Sequence, residues 1–478
     1  MKPILALFCI SWLLLLMSSN VYAQRTSNVL ASGHQLTCAK VVGKNADVVL
    51  IQDGQTLFCM SQKKDGPAIS NIVVLPKKSY VWDFVDSAPG VDGLGEIIVQ
   101  TAEGVQGAVV KSTESSPQFV KLSEAGDLFR GNLSAPAVGK KFAWRVGTRT
   151  YWVIPTLTGL QTFERDAEGK ITDFGVKPAR LTSTQALSSS MGYRLKARVT
   201  VPFFDLDTDA EGQQNLLFRQ DSYYSSRPFS SGELGTWGKA PSTEDNLVVE
   251  FEHRIAPLCL DFDGDGRKDL LHVDPGSGTT LIYESRKREL GKGAEPNRVF
   301  RITGHILWRW LIDADGDGKK DLFLLELSKL SKIAQVKVMQ NRSLPVVLSM
   351  RRQLSGGRFQ ASANWSDHFE LPCEISLTRN VKRVRFRAPV QLIKTLNQEV
   401  QLLAPAEEGK VATYRRAENS WEVMSTHPHL YVEDGFLAEP FDAQIWQSGE
   451  SRGHLILLAR NPKAAKDRVL MLPLAKGK

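Results

Sequence analysis

The chain has 478 residues, 42% of them hydrophobic and 23% charged, with 60 Lys and Arg against 52 Asp and Glu for a formal charge of +8. That length suits one large domain or two to three ordinary ones. The mild positive balance permits attraction to anionic surfaces such as lipopolysaccharide, acidic glycans or phospholipid, but no aromatic-basic stripe of the kind that grips single strands is present, so nucleic acid is not an expected partner.

Residues 1–23 read as a secretory signal: Lys2 supplies the charged start, Ile4 to Met17 the apolar core, and Val21 to Ala23 a small-residue cleavage site before Gln24. The apolar run is shorter than the about 20 residues a bilayer span requires. Cys9 lies inside it without the small residues that precede a lipoprotein cleavage site, and no later segment is apolar enough to cross a membrane. Cleavage after Ala23 thus predicts an unanchored product, secreted or periplasmic, which we expect to be monomeric. Four cysteines remain in that oxidising compartment: Cys38, Cys59, Cys259 and Cys373. Of the three possible pairings, Cys38–Cys59 would staple neighbouring strands of the first unit and leave Cys259–Cys373 to tie two later ones. Buried thiols are the alternative.

From Cys38 onward short β-rich runs alternate with Gly, Asp, Asn and Pro, and helical periodicity is almost absent. Asp47–Ile51, Gly95–Val99, Tyr151–Ile154 and Leu455–Leu458 are examples. Many short strands at regular spacing predict an all-β sandwich, barrel or propeller. A strand–loop–strand core recurs near 41–51, 82–99, 142–154, 201–218, 257–273, 309–327, 390–403 and 441–458. A fixed period of this size is the mark of a repeat fold. The run 468–473 is expected to complete the first unit and close the ring, protecting exposed edges.

Two of these units carry the chemistry. Asp261, Asp263, Asp265 and Asp269, with Gly266 between, read D-x-D-x-D-G-x-x-D; Asp313, Asp315, Asp317 and Asp321, with Gly318, repeat it 52 residues later. A hard divalent cation takes six to eight oxygens at about 2.3–2.6 Å, and such a loop supplies them from four carboxylates and one carbonyl, that of Arg267 or of Lys319. The glycines permit the positive φ that turns the chain back. Without a cation the four carboxylates would repel one another. An EF-hand is excluded, because its twelfth loop position needs a bidentate acid and holds His272 in one copy and Leu324 in the other. Worn copies run from Asp205 through Asp207 and Asp209 to Asn215, and from Asp83 through Asp86 and Asp92 to Glu96.

Strand, D-x-D-x-D-G-x-x-D loop and second strand together resemble the FG-GAP/VCBS repeat, the blade unit of integrin-α-like β-propellers. The two loops match that metal motif at every ligand position, while the family's Phe-Gly and Gly-Ala-Pro landmarks are not recognisable. The resemblance implies an all-β propeller of seven, possibly eight, blades spanning residues 24–478, with structural calcium in hairpins between the first strands of some blades.

One stretch breaks the rhythm. Between 325 and 390 there are twelve Lys and Arg against four Asp and Glu, so 328–387 reads as a basic insertion; Arg286 to Arg288 is a second basic cluster. Long loops on a rigid scaffold are where binding tends to live, although such charge is usually a solvated face. No nucleophile elbow, zinc helix or phosphate loop occurs. His427 and His429 are the only close histidine pair, and Trp308 and Trp310 read as packing on one strand face. The expected function is a non-catalytic binding or scaffold module for a protein or glycan at the cell envelope or outside the cell. The alternative is a propeller enzyme, a polysaccharide lyase or hydrolase, drawing on carboxylates such as Glu96 and Glu326.

Overall fold

The computed structural model describes residues 36–42, 48–63, 66–77, 79–86, 95–101, 103–111, 117–124, 141–156, 159–177, 182–188, 194–201, 203–209, 211–220, 223–230, 248–251, 257–273, 279–284, 298–301, 305–327, 336, 338, 340–378, 381–386, 390–394, 400–406, 411–416, 421–427, 437–438, 444–446, 454–461 and 466–473. Residues 1–23, which read as a signal in the sequence, Asp92, the basic cluster 286–288 and His429 lie outside the described residues.

The architecture is all-β and of the propeller class, a succession of small antiparallel sheets in chain order. The first meander is β1 (Leu36–Val42), β2 (Val48–Asp53), β3 (Thr56–Lys63) and β4 (Gly66–Val74). The second is β5 (Ser79–Asp86), β6 (Gly95–Thr101), β7 (Gly104–Val110) and β8 (Val120–Glu124). The third is β9 (Ala143–Val146), β10 (Arg149–Thr156), β11 (Gly159–Arg165) and β12 (Ile171–Lys177). After β13 (Thr182–Ser188) and β14 (Arg194–Val201) comes the fourth, β15 (Phe204–Thr208), β16 (Gln214–Gln220) and β17 (Tyr223–Pro228), and then β18 (Val248–Phe251). The fifth is β19 (Leu258–Leu260), β20 (Asp269–Val273), β21 (Thr279–Tyr283) and β22 (Arg298–Arg301). The sixth has five strands: β23 (His305–Ile312), β24 (Asp321–Leu327), β25 (Ser343–Arg351), β26 (Trp365–Thr378) and β27 (Val381–Phe386). The seventh is β28 (Gln391–Lys394), β29 (Val400–Pro405), β30 (Val411–Arg416) and β31 (Trp421–His427). In the eighth, β34 (His454–Asn461) pairs with β32 (Leu437–Ala438), β33 (Gln444–Trp446) and β35 (Lys466–Pro473).

Among the described residues, seven meanders and the β32–β35 sheet therefore stand where the sequence places eight strand–loop–strand cores. A ninth sheet, β13–β14–β18, joins strands from either side of the fourth meander and contains a parallel pair, β14 with β18. The chain divides into two compact units, one of residues 1–54, 58–70 and 371–478, the other of 55–57 and 71–370. The second contains both acidic loops.

Why the apolar runs fall where they do follows from burial. The second strand of a meander is flanked by a strand on either side, and in the 71–370 unit neighbouring sheets pack through successive clusters. One joins Ile98 and Val105 to Trp152, Phe163, Leu216 and Phe218. The next joins Leu217 and Tyr224 to Leu270 and Tyr283, and a third joins Leu271 and Ile282 to Leu322 and Leu324. Strand β6 is buried along its whole length, so its centre, Ile97–Val99, is written as an apolar run and not as an alternation. Strand β8, outermost in its sheet, has no fully buried residue.

Two expectations are overturned. Cys59, Cys259 and Cys373 are thiols and not halves of disulfides. Cys38 on β1 pairs with Gln52 of β2, and β2 separates it from Cys59 on β3. Two strand spacings amount to about 10 Å, beyond the Cα reach of a disulfide. Burial instead pushes the Cys59 thiol up to about 12. The C-terminal run 468–473 does not complete the first meander, which has four strands of its own. It lies in β35 and pairs with β34.

Candidate metal centres

Each acidic loop is the hairpin connection between the first two strands of its sheet, β19 to β20 and β23 to β24. Asp261, Asp263 and Asp265 bring one carboxylate oxygen each to within 4.8 Å of one another, and Asp313, Asp315 and Asp317 do the same. These are the three-acid clusters found among the described residues.

Backbone amides build the geometry. Asp261 accepts from the N–H of Gly264 at 2.7 Å through Oδ1 and from that of Gly266 at 2.9 Å through Oδ2. Asp263 accepts from Asp265 N–H, and Asp265 from Arg267 N–H at 2.9 Å. The second loop repeats this, with Gly316 N–H on Asp313, Asp317 N–H on Asp315, and Lys319 N–H on Asp317. Gly266 and Gly318 both take φ of +84°, the left-handed turn that a side chain would strain. The fourth aspartates take another place. Asp269 and Asp321 lie buried beneath their loops, outside the clusters of three, and accept the N–H of Phe262 at 2.8 Å and of Ala314 at 3.2 Å. Burial holds the Asp321 carboxyl above the usual carboxylate range, whereas the Lys319 amide and ammonium draw Asp317 below it. The donor set is oxygen throughout, which fits a hard cation and not one that prefers nitrogen or sulfur.

Sequence reasoning missed what holds the loops from outside. In the first loop, Lys268 N–H donates to Asp207 of β15 at 2.9 Å, and its ammonium reaches Asp205 at 2.7 Å. In the second, the corresponding Lys320 N–H donates to the Gln353 side chain at 2.7 Å. Gln353 N–H donates to Asp321, and its amide nitrogen donates to the carbonyl of Phe262, back in the first loop. Arg352 reaches Asp315 at 2.5 Å. Both residues belong to the basic stretch 328–387, whose described portion consists largely of β25, the turn after it, β26 and β27. Arg351 there is buried and donates to the carbonyls of Gln360 and Ala361. Apart from net charge, nothing in the sequence of this stretch signals a partner 91 residues away.

The worn copies are filled by the protein itself. Besides its contact with Lys268, the 205–215 hairpin uses Asp209 to cap its own turn, accepting from Glu211, Gln213 and the Asn215 side chain. Asp83 is buried and accepts the N–H groups of Phe84, Phe142 and Ala143. Glu96 is gripped by the guanidinium of Arg165 through both oxygens, and Arg145 reaches it at 3.5 Å. Glu326 is buried on β24 and accepts from Ser349 Oγ at 2.5 Å.

No protein-family profile and no curated protein matches the chain. Solved structures match at low identity. Dihydro-heme d1 dehydrogenase NirN, in complex with DHE, is 10% identical over 83% of this chain and 67% of its own, with a TM-score of 0.40. AztD from Citrobacter koseri is 11% identical over 82% and 85%, with a TM-score of 0.35. The WD40 domain of SCAP from fission yeast is 7% identical over 93% of each chain, with a TM-score of 0.40. Likeness at this level carries nothing about activity.

Proposed function

We propose that the chain is an exported, calcium-stabilised β-propeller of the FG-GAP/VCBS type, serving as a non-catalytic binding or scaffold module for a protein or glycan at the cell envelope or outside the cell. The observation that carries this reading is the pair of three-carboxylate clusters, set in equivalent hairpins and built by the same backbone bonds. Asp261, Asp263 and Asp265, with the Arg267 carbonyl and Asp269 below, would hold one ion; Asp313, Asp315 and Asp317, with the Lys319 carbonyl and Asp321, the other. The ion supplies positive charge that ties a hairpin together, and no reaction step is assigned to it. The export reading rests on the sequence of residues 1–23. The carboxylates that a polysaccharide-cleaving propeller would draw on, Glu96 and Glu326, are each engaged by side chains within the fold, which favours binding over catalysis.

Calorimetric titration of the mature chain with calcium tests the metal. Heat from two sites is expected in the wild type and none from either loop in the Asp263→Ala, Asp315→Ala double variant. An unchanged isotherm removes the loops as the sites. Retention of the calcium-loaded protein by envelope fractions or a glycan array tests the module. Failure of both, together with release of reducing ends or unsaturated products from acidic polysaccharides, would make it an enzyme.

A further inference from the structure

We infer that the turn between β25 and β26 couples the two acidic loops, so that a cation in one tightens the other; this rests on the calcium reading above. The turn touches both loops through different atoms. Toward the second loop, Gln353 Oε1 accepts Lys320 N–H, Gln353 N–H donates to Asp321 at 2.9 Å, and Arg352 meets Asp315. Toward the first, Gln353 Nε2 donates to the Phe262 carbonyl at 2.6 Å, and the Phe359 ring stands edge-on to Phe262 with centroids 5.7 Å apart. Gly357, at φ +72°, lies so close that an added Cβ would sit 3.2 Å from the Cβ and the backbone nitrogen of Asp263.

The turn is also stiff. Gln360 N–H bonds the Arg352 carbonyl at 3.0 Å, Leu354 N–H bonds the Arg358 carbonyl, and Arg352 N–H bonds the Asn364 side chain at 2.7 Å. One buried side chain, Gln353, therefore fixes the backbone of both loops at once. A cation that orders 313–321 holds Lys320 and Asp321 in place, and through them Gln353 and the Phe262 carbonyl. The second cation then meets a loop already ordered, which is positive coupling through shared ordering. Arg352 can leave Asp315 by swinging its half-exposed side chain without moving this backbone.

The test is calcium calorimetry on the full mature chain with one loop disabled, Asp263→Ala or Asp315→Ala, each with and without Gln353→Ala. Coupling of ordinary size predicts that the surviving loop loses about fivefold or more in affinity, equally in both directions. With Gln353→Ala that penalty is expected to fall to within about twofold. A surviving loop that keeps wild-type affinity, or a penalty that Gln353→Ala leaves intact, overturns the coupling while the calcium reading stands. A wild-type chain that takes up no calcium overturns both. Should Gln353→Ala not fold, Gln353→Glu keeps the acceptor for Lys320 and loses only the donor to Phe262. A metal-free readout runs beside these: in chelator, Gln353→Ala is expected to speed hydrogen exchange at the Gly264 and Gly266 amides of the first loop and at Lys320 of the second, and no change in the first loop counts against the turn.

Discussion

The hairpins at Asp261 and Asp313 and those at Asp83 and Asp205 share an acidic pattern, and they differ in what lies against their carboxylates. In the worn pair it is supplied by the chain. Lys268 serves Asp205; Arg165 and Arg145 serve Glu96; backbone amides serve Asp83 and Asp207. In the intact pair the three carboxylates converge, with backbone amides on them and, at the second loop, Lys319 and Arg352 beside them. A side chain brought over from the next sheet makes a permanent brace, while on the calcium reading a converging loop takes part of its brace from the medium. The two kinds of hairpin should therefore respond oppositely to chelation and to the loss of a basic residue.

The largest effect of a single side chain is expected at Arg165. Its bidentate grip on Glu96 is mostly buried, and removing one partner of such a pair typically costs about 3 kcal/mol or more. Arg165→Met should lower the urea midpoint by that order, equally in calcium and in chelator, since no external ion takes part. A loss seen only in chelator would mean that calcium reaches the Glu96 hairpin after all, and the contrast would collapse.

Next in size is calcium itself. A ligand bound only by the folded state at a hundredfold excess over its Kd stabilises by about 2.7 kcal/mol. The wild type should gain on this order from each loop, and the Asp263→Ala, Asp315→Ala double variant should gain nothing while matching or exceeding the wild type in chelator. Equal melting of the wild type with and without calcium would place the intact loops with the worn ones.

How far the sequence exposes this contrast depends on distance along the chain. The intact loops are legible because carboxylates, glycines and flanking strands lie within about a dozen consecutive residues, and the second strands of the meanders are legible because burial on both faces writes their centres as short apolar runs such as Ile97–Val99. The braces are not. Lys268 meets Asp205 across 63 positions, Arg165 meets Glu96 across 69, and Gln353 meets Phe262 across 91. An Arg or Gln bound for such a partner looks like any other on a polar strand. The same blindness explains the stretch 328–387: its charge reads as an open basic face, but Arg351 is spent on carbonyls and Arg352 on a loop carboxylate. Sheet β13–β14–β18 lacks even that signal, since its pairing is a matter of backbone.

A smaller effect separates Lys268 from Arg165. The Lys268 ammonium and the Asp205 carboxylate are 33% and 20% exposed, so water already screens them and the pair is worth about 1 kcal/mol or less. Lys268→Met should cost that much in calcium and chelator alike. A new calcium-dependent gain in this variant would show that the ammonium had been keeping a third cation site closed, and would turn the worn hairpin into a masked one.

The smallest expected effect concerns a buried carboxylate without the direct grip that Glu96 enjoys. Glu326 accepts from Ser349 and feels Arg351 only at longer range, so burial dominates and raises its carboxyl above 4.5. A raised folded value means that the native state holds its proton where the unfolded chain has released it. The stabilising contribution is thus present below pH 4.5 and is lost as pH rises through the folded value. Glu326→Gln retains an acceptor for Ser349 and should remove that decline, leaving the variant at least as stable as the wild type at neutral pH. Urea midpoints taken upward from pH 4.5 decide it. A variant that is weaker at neutral pH would show that Arg351, whose own guanidinium is lowered first by burial and raised by Glu326, depends on this carboxylate more than burial penalises it, and Glu326 would then rank with Glu96 as a carboxylate braced by the chain.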